Sequence, residues 1–260
     1  MRNNPQKEII ELIKEGISLN KISKKLNIPK SSIYYYYKKI KGRKFPKPII
    51  PNDDKILGEF LGIFAGDGSF FYDKKRYNYT ISIGLHAIDD RAYGNYIKSL
   101  IEKNFNKKVR EYTKDNALTL VFYSKDIFKL IDKYLNLLPK KTYNIYIKKS
   151  FNSLSNDFLR LFVRGIVDTD GHHKKDGRIV LCLVSKRMIQ QVSSILKSLS
   201  INNKVYIKNK KLPKRKQYEL TIPKREVEKY IKIIGFSNKR KESINAVAGI
   251  RTPVETCLLN

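Results

Sequence analysis

Phe60-Leu-Gly-Ile-Phe-Ala-Gly-Asp67-Gly68 and Val163-Arg-Gly-Ile-Val-Asp-Thr-Asp170-Gly171 are two versions of one stretch. Each is an apolar helical run with a small-residue face, and each ends in Asp-Gly. A helix interior does not take glycine freely, because each costs about 1 kcal/mol against alanine. Gly62 and Gly66, with Ala65 between them, and Gly165 with Thr169 therefore point to two backbones in close approach. A duplicated helix packed on its copy about a pseudo-two-fold axis would bring Asp67 and Asp170 together at one end. Both acids fall in the last helical turn, where the helix dipole is unfavourable to an anion by about 0.3–1 kcal/mol. Gly68 and Gly171 sit where a left-handed cap would end each helix. Two carboxylates converging at negative helix ends repel each other, and a divalent cation with hard oxygen ligands relieves that conflict. Mg²⁺ (or Mn²⁺) is the expected ion, held by Asp67 and Asp170 with Gly66 and Thr169 beside them.

The surroundings of the motifs repeat as well. The alternating runs 77–85 and 178–183 follow them. Amphipathic helices come next, 89–103 and 186–199, and then strand pairs 108–113 with 117–123 and 204–208 with 217–222. Helices 125–137 and 224–234 close each set, followed by Lys-rich segments and a last helical stretch. The order in each half is helix, two strands, helix, two strands, helix. The chain is thus expected to be α+β, with repeats over 53–154 and 155–260. Strand alternation leaves one sheet face for a core and one for solvent.

The chain has 260 residues, 54 Lys and Arg against 24 Asp and Glu, and a formal net charge of +30. That excess points to a polyanion partner, and 41% hydrophobic residues argue for a folded globule. No apolar run approaches the roughly 20 residues that span a bilayer, and no signal peptide opens the chain. A soluble intracellular protein is expected. The two cysteines, Cys182 and Cys257, indicate neither a zinc cluster nor a disulfide framework.

Residues 1–42 read as a small all-α module. Its three helices carry Ile9, Ile10, Leu12 and Ile13, then Leu19, Ile22 and Leu26 after a Ser18 cap, and then Ile33 to Ile40 after a Ser31 or Ser32 cap. The pattern resembles a helix-turn-helix, in which Lys30, Ser31, Ser32, Tyr34, Tyr35 and Lys38 face the major groove. A protein-interaction bundle is the alternative. Residues 43–52, with Arg43 and Lys44, read as a basic Pro-rich linker able to follow a phosphate backbone. On the repeats, outward Ser82, His86, Arg178, Lys204, Tyr206 and Lys208 suit contact with bases and phosphates. The loop residues Lys210, Lys211, Lys214, Arg215 and Lys216 add to that surface.

The paired motifs resemble those of the LAGLIDADG homing endonucleases in their single-chain form. The resemblance spans roughly residues 53–250. It implies tandem αββαββα repeats with pseudo-two-fold symmetry, two saddle-shaped antiparallel sheets along the major groove, and a monomer. It also implies hydrolysis of both strands of a long asymmetric double-stranded DNA target, with Asp67 and Asp170 as metal ligands. A basic residue near each scissile phosphate is implied too. Lys239 is favoured in the second half, and Lys140 or Lys141 in the first. The sequence departs from the family at Ala65 against Asp168, and at Arg164, where a small residue is common. Asp168 is expected behind the site or paired with a base. His86 and Arg91, and Ser185 and Lys186, are candidates to organise water, whereas His172 and His173 read as DNA-facing or exposed. Two alternatives stand beside the nuclease: a catalytically silent DNA-binding regulator, and an RNA maturase with intron RNA as partner. The Met1 start, and an ending without His-Asn before a nucleophile, speak against an intein origin.

Overall fold

The computed structural model describes residues 5–42, 47–137, 141–210 and 215–242, with the side chains of residues 209, 210 and 215 left aside. Contacts divide the chain into two compact units, Met1–Lys47 and Pro48–Asn260.

The first unit holds α1 (Pro5–Lys14), α2 (Leu19–Leu26) and α3 (Lys30–Lys41). Ile9, Leu12, Ile13, Leu19, Ile22 and Ile33 form its core, with Leu26, Tyr34, Tyr36 and Tyr37 packed against them. Ser18 caps α2 by accepting the Lys21 N–H, and Asn27 ends it in the left-handed region at φ 51°. The third helix starts differently from expectation. Pro29, not Ser31 or Ser32, holds the N-cap position and offers no side-chain cap. Both serines lie within the first turn and are exposed. Ile40 is also exposed, so the core face of α3 ends earlier than its apolar pattern suggested.

The second unit contains the repeat. Its first half runs α4 (Asp54–Asp67), β1 (Gly68–Asp73), β2 (Asn78–His86), α5 (Arg91–Phe105), β3 (Arg110–Lys114), β4 (Ala117–Tyr123), α6 (Lys125–Tyr134) and α7 (Lys141–Asn144). A single 3₁₀ turn, Phe151–Ser153, leads into α8 (Asn156–Asp170). The second half continues with β5 (Gly171–His173), β6 (Ile179–Leu183), α9 (Lys186–Ser198), β7 (Lys204–Lys210), β8 (Arg215–Ile222) and α10 (Lys224–Ile233). Each half builds a four-stranded antiparallel sheet, in the orders β1-β2-β4-β3 and β5-β6-β8-β7. The registers coincide: Gly68 stands opposite Ile83 and Gly171 opposite Leu181, while Ile83 pairs Leu120 and Leu181 pairs Leu220.

Alternation explains the layering. Ile81, Ile83 and Leu85 turn inward with Leu118, Leu120 and Phe122, and in the other sheet Ile179, Leu181, Leu220 and Ile222 do the same. One continuous core joins both halves through Phe60, Phe64, Phe158 and Phe162 of the motif helices. Ser124, Ser155 and Ser185 cap α6, α8 and α9 by accepting the backbone N–H three residues on. The passage between halves is tied down as well. Leu135 bridges Ile147, and the Gln191 side chain both donates to the Ile147 carbonyl (2.9 Å) and accepts its N–H (2.8 Å).

The small-residue face is longer than the motif itself. Gly58, Gly62 and Gly66 recur at every fourth residue of α4. A Cβ on Gly58 would sit 2.3 Å from the Phe158 carbonyl oxygen, one on Gly62 2.2 Å from that of Phe162, and one on Gly66 2.0 Å from Thr169 Oγ1. From the other side, a Cβ on Gly165 would lie 2.5 Å from the Glu59 carbonyl oxygen. At Gly58, Gly62 and Gly165 the helices touch backbone to backbone, so no rotamer change relieves a clash there. Gly68 and Gly171 need correcting. Both are extended, at φ −76° and −80°, so neither is a left-handed cap. They are glycine because a Cβ would strike Phe64 in one case and the Val167 carbonyl oxygen, 2.5 Å away, in the other.

Candidate active site at the paired helix ends

Asp67 and Asp170 are the last residues of α4 and α8, and each leads directly into the first, edge strand of its sheet. The glycine contact sets their separation. Because Gly66 carries no side chain, Asp170 Oδ2 lies 3.0 Å from where its Cβ would be. Burial, then the Asp170 charge, raises Asp67 from the ordinary carboxylate range to about 7, against the pull of Lys241 and Lys141. Burial raises Asp170 too.

Two lysines complete the cluster, one from each half. Lys141 Nζ donates to the Gly66 carbonyl at 3.0 Å and also to that of Gly68, and it lies 5.0 Å from the Phe64 ring centroid. Lys241 Nζ repeats the pattern on the other helix, donating to Val167 O at 2.9 Å and Thr169 O at 3.0 Å. Each ammonium thus adds a donor at the carbonyls where a motif helix gives way to its strand; the Val167 oxygen also accepts the Gly171 N–H. Burial lowers both lysines to about 8, and the neighbouring carboxylates oppose that shift. A cleft of about 520 Å³, lined by Asp67, Ser69, Phe70, Lys141 and Thr142, opens on the first-half side.

The structure sorts the expected residues. It brings Asp67, Asp170, Gly66, Thr169 and Lys141 together. Lys239 is exposed, and the buried lysine of the second half is Lys241. The basic run offered three candidates at once, and only the turn at Asn238, whose carbonyl accepts the Lys241 N–H at 2.9 Å, decides which one points inward. Lys140 lies outside the described residues, as do Arg43, Lys44, Lys211 and Lys214; the side chains of Lys210 and Arg215 are not described. Asp168 is almost fully buried and accepts the Ser237 N–H at 2.8 Å. Arg164 does not obstruct the seam, because it reaches out to the Ile234 carbonyl at 2.8 Å.

Several other assignments change. Ser185 caps α9 and donates to the Ile145 carbonyl at 2.6 Å, so it is structural and turned away from any water. Arg91 pairs with Glu111 at 2.8 Å. His86 accepts the Asp89 N–H at 3.2 Å while remaining exposed. His173 is half-buried against Phe236, at 5.2 Å between rings, and burial lowers it to about 4, so it is a neutral imidazole near Lys241. His172 stays exposed.

On the sheet faces, Ser82 shares a 2.8 Å hydrogen bond with Ser69, Arg178 donates through Nε and Nη2 to Asp176 Oδ2, and Lys208 pairs with Glu219. Lys204, Tyr206 and Lys216 are exposed. On α3, Lys30, Ser31, Ser32, Tyr35 and Lys38 are exposed, whereas Tyr34 packs against the core of its unit.

Among the described residues no cluster of three or more His, Cys, Asp or Glu gathers in the manner of a closed protein metal cage. Two carboxylates beside backbone carbonyls are a sparse, all-oxygen donor set. That set suits a hard divalent ion that keeps water and takes further oxygens from a phosphate. The buried, mutually repelling acids fit such an ion.

The acids' titration has a consequence for the metal-free protein. A carboxyl raised in the fold binds its proton more tightly than in the unfolded chain, so stability falls as pH rises between the two values. In EDTA, the wild type is therefore expected to lose melting temperature relative to Asp67→Asn as pH rises from about 4 to 7. Carboxyls lowered by their partners, such as Glu111 and Asp176, act in the opposite direction equally in both proteins. Calorimetry showing the wild type and the variant in parallel across this window would count against the assigned burial.

Comparison with known proteins agrees with this architecture. Residues 157–235 match the family model for a LAGLIDADG-like domain. I-DmoI, in complex with DNA and calcium, superposes with a TM-score of 0.57 at 19% identity, over 76% of this chain and 100% of that one. Full-length DUF199/WhiA from Thermatoga maritima superposes at 0.50 and 14% identity, over 78% and 63%. Among curated sequences, a probable translation initiation factor IF-2 of Methanocaldococcus jannaschii is 26% identical over 240 residues, 89% of this chain. The chain spans only 19% of that relative's length. The chain shares the fold of these LAGLIDADG proteins, and the LAGLIDADG-like family model falls within its second half. No described helix is long and apolar enough to cross a membrane.

Proposed function

We propose that the chain is a divalent-metal-dependent endonuclease that hydrolyses both strands of a double-stranded DNA site. The observation that carries this reading is the convergence of Asp67, Asp170, Lys141 and Lys241 at one end of the glycine-packed helix pair. Bound Mg²⁺ or Mn²⁺ would supply Lewis acidity toward a phosphodiester oxygen and an activated water. The chain's own part is to hold that ion with two acids and to place an ammonium on either side. A lysine lowered to about 8 exchanges a proton near neutral pH, so Lys141 and Lys241 are suited to stabilise phosphorane charge or relay a proton. The net charge of +30 provides the long-range attraction to the duplex. Exposed Lys204, Tyr206 and Lys216 provide local contacts.

The test is incubation of the full chain with Mg²⁺ and a randomised plasmid library, followed by sequencing of linear products. Recovery of one consistent cut site supports the proposal; an intact library at every metal concentration defeats it.

A second reading, DNA binding without cleavage, draws on the three-helix unit with its exposed Tyr35 and Lys38. In the nuclease reading that unit lengthens the footprint on the same duplex. Deleting residues 1–47 is then expected to shorten the protected segment and weaken affinity at least tenfold, while the cut position stays put. Unchanged affinity and footprint would remove the unit from target binding.

A further inference from the structure

The two halves share their acids and lysines but differ in what stands behind them. Asp168 Oδ2 accepts the Ser237 N–H at 2.8 Å, and the Asp168 carbonyl accepts Asn238 Nδ2 at 3.4 Å. The Ser237 hydroxyl donates to Glu59 Oε1, which also accepts the Tyr96 hydroxyl at 2.9 Å. Asn238 Nδ2 reaches Asp90 Oδ1 at 3.2 Å, and Arg240 pairs with Asp90 at 3.0 Å and Asp89 at 3.3 Å. Residues 237–240, which deliver Lys241, are therefore bonded to α8 of their own half and to α4 and to residues 89–96 of the other.

Laid motif on motif and lysine on lysine, the surroundings of Lys141 have Ala65 for Asp168, Leu137 for Ser237 and, from α8 of the other half, Phe162 for Glu59. Those side chains neither donate nor accept. A buried polar network is directional and fixes one geometry, whereas apolar packing tolerates small slides.

We propose that Asp168 is a positioning residue for Lys241. Together with Ser237, Asn238 and Glu59 it holds the backbone that presents this lysine, and the two centres of the chain are unequal as a result. This rests on the nuclease reading for its consequence: loss of Asp168 impairs cutting of the strand served by Lys241 and spares the other.

The positioning itself is tested without DNA or metal. The full-length protein is treated with formaldehyde and borane, and dimethylation of each lysine is followed by peptide mass spectrometry. Lys241 is expected to label slowly in the wild type. In Asp168→Ala its rate rises about tenfold or more, the scale set by losing a buried hydrogen bond to a charged group, with Lys141 unchanged. Ser237→Ala, a milder lesion, raises it in the same direction. Asp168→Asn, which keeps an acceptor for the Ser237 N–H, restores protection. Lys241 rates within twofold of wild type in both alanine variants overturn the proposal, and so does an Asn variant that labels as fast as Ala. On a selected target, Asp168→Ala is then expected to slow one strand only, read on end-labelled duplex; equal slowing of both strands also overturns it. Absence of all cutting would instead sink the nuclease reading and leave the labelling result standing.

Discussion

Asp67→Asn and Asp170→Asn are each expected to abolish double-strand cleavage while leaving DNA affinity intact or slightly raised. The substitution keeps side-chain volume and removes one negative charge from a buried pair. The folded apoprotein is therefore relieved of repulsion, since burial and Asp170 together already push Asp67 to about 7. On the proposed reading, what is lost is an anionic ligand for the cation. Removing one preorganised electrostatic element from a phosphoryl-transfer site costs on the order of 10³-fold in rate. Gel shift in Ca²⁺ and plasmid cleavage in Mg²⁺, run on the same preparations, separate the two functions. A variant that cuts both strands at the wild-type rate would falsify the assignment of these acids.

Gly62→Val is the second large effect, and it falls on stability. A Cβ at this position would meet the Phe162 carbonyl oxygen at 2.2 Å and the Gly165 Cα at 3.1 Å. Neither is the end of a flexible side chain, so α4 and α8 must separate along their length. Overpacking of this kind costs about 3 kcal/mol. For a unit of this size, each kcal/mol moves the melting temperature by about 2–4 °C. A fall on the order of 10 °C is expected, with loss of cleavage even below the new transition, because the same separation parts Asp67 from Asp170. Gly84→Ala is the control. That glycine has no atom within 4 Å of its missing Cβ, and substitution should leave the melt unchanged. An unshifted melt for Gly62→Val would mean that the seam is looser than described.

The architecture was legible because duplication prints every signal twice. One Asp-Gly is an ordinary turn, but two behind matched apolar runs defined paired helices, and strand alternation left one face of each sheet for the core. The small-residue stripe runs one turn beyond the repeated stretch that begins at Phe60: Gly58 lies at the same spacing as Gly62 and Gly66. The glycines after the acids misled for a physical reason. Asp-Gly at a helix end suggests a left-handed residue, and here glycine serves clearance in an extended backbone.

The lysine of the second half could not be read from sequence. Lys239, Arg240 and Lys241 are equivalent by type, and the choice depends on a turn held by partners scattered over the chain: Asp168, Asp90 and Glu59. Arg178 and Lys208, expected to be free for DNA, are engaged by Asp176 and Glu219, partners that the strand pattern alone did not reveal.

The strap between the halves carries one more implication. Ile145 and Ile147 are buried, and the backbone around them is bonded to Ser185 and Gln191 of the following half. The first half therefore ends inside the second, and a gene split at the connector would leave each product with an apolar edge and unanswered amides. Cutting the chain into two separately expressed pieces, or exchanging one half for that of a cousin, succeeds only if the junction is placed beyond this strap, toward Ser150.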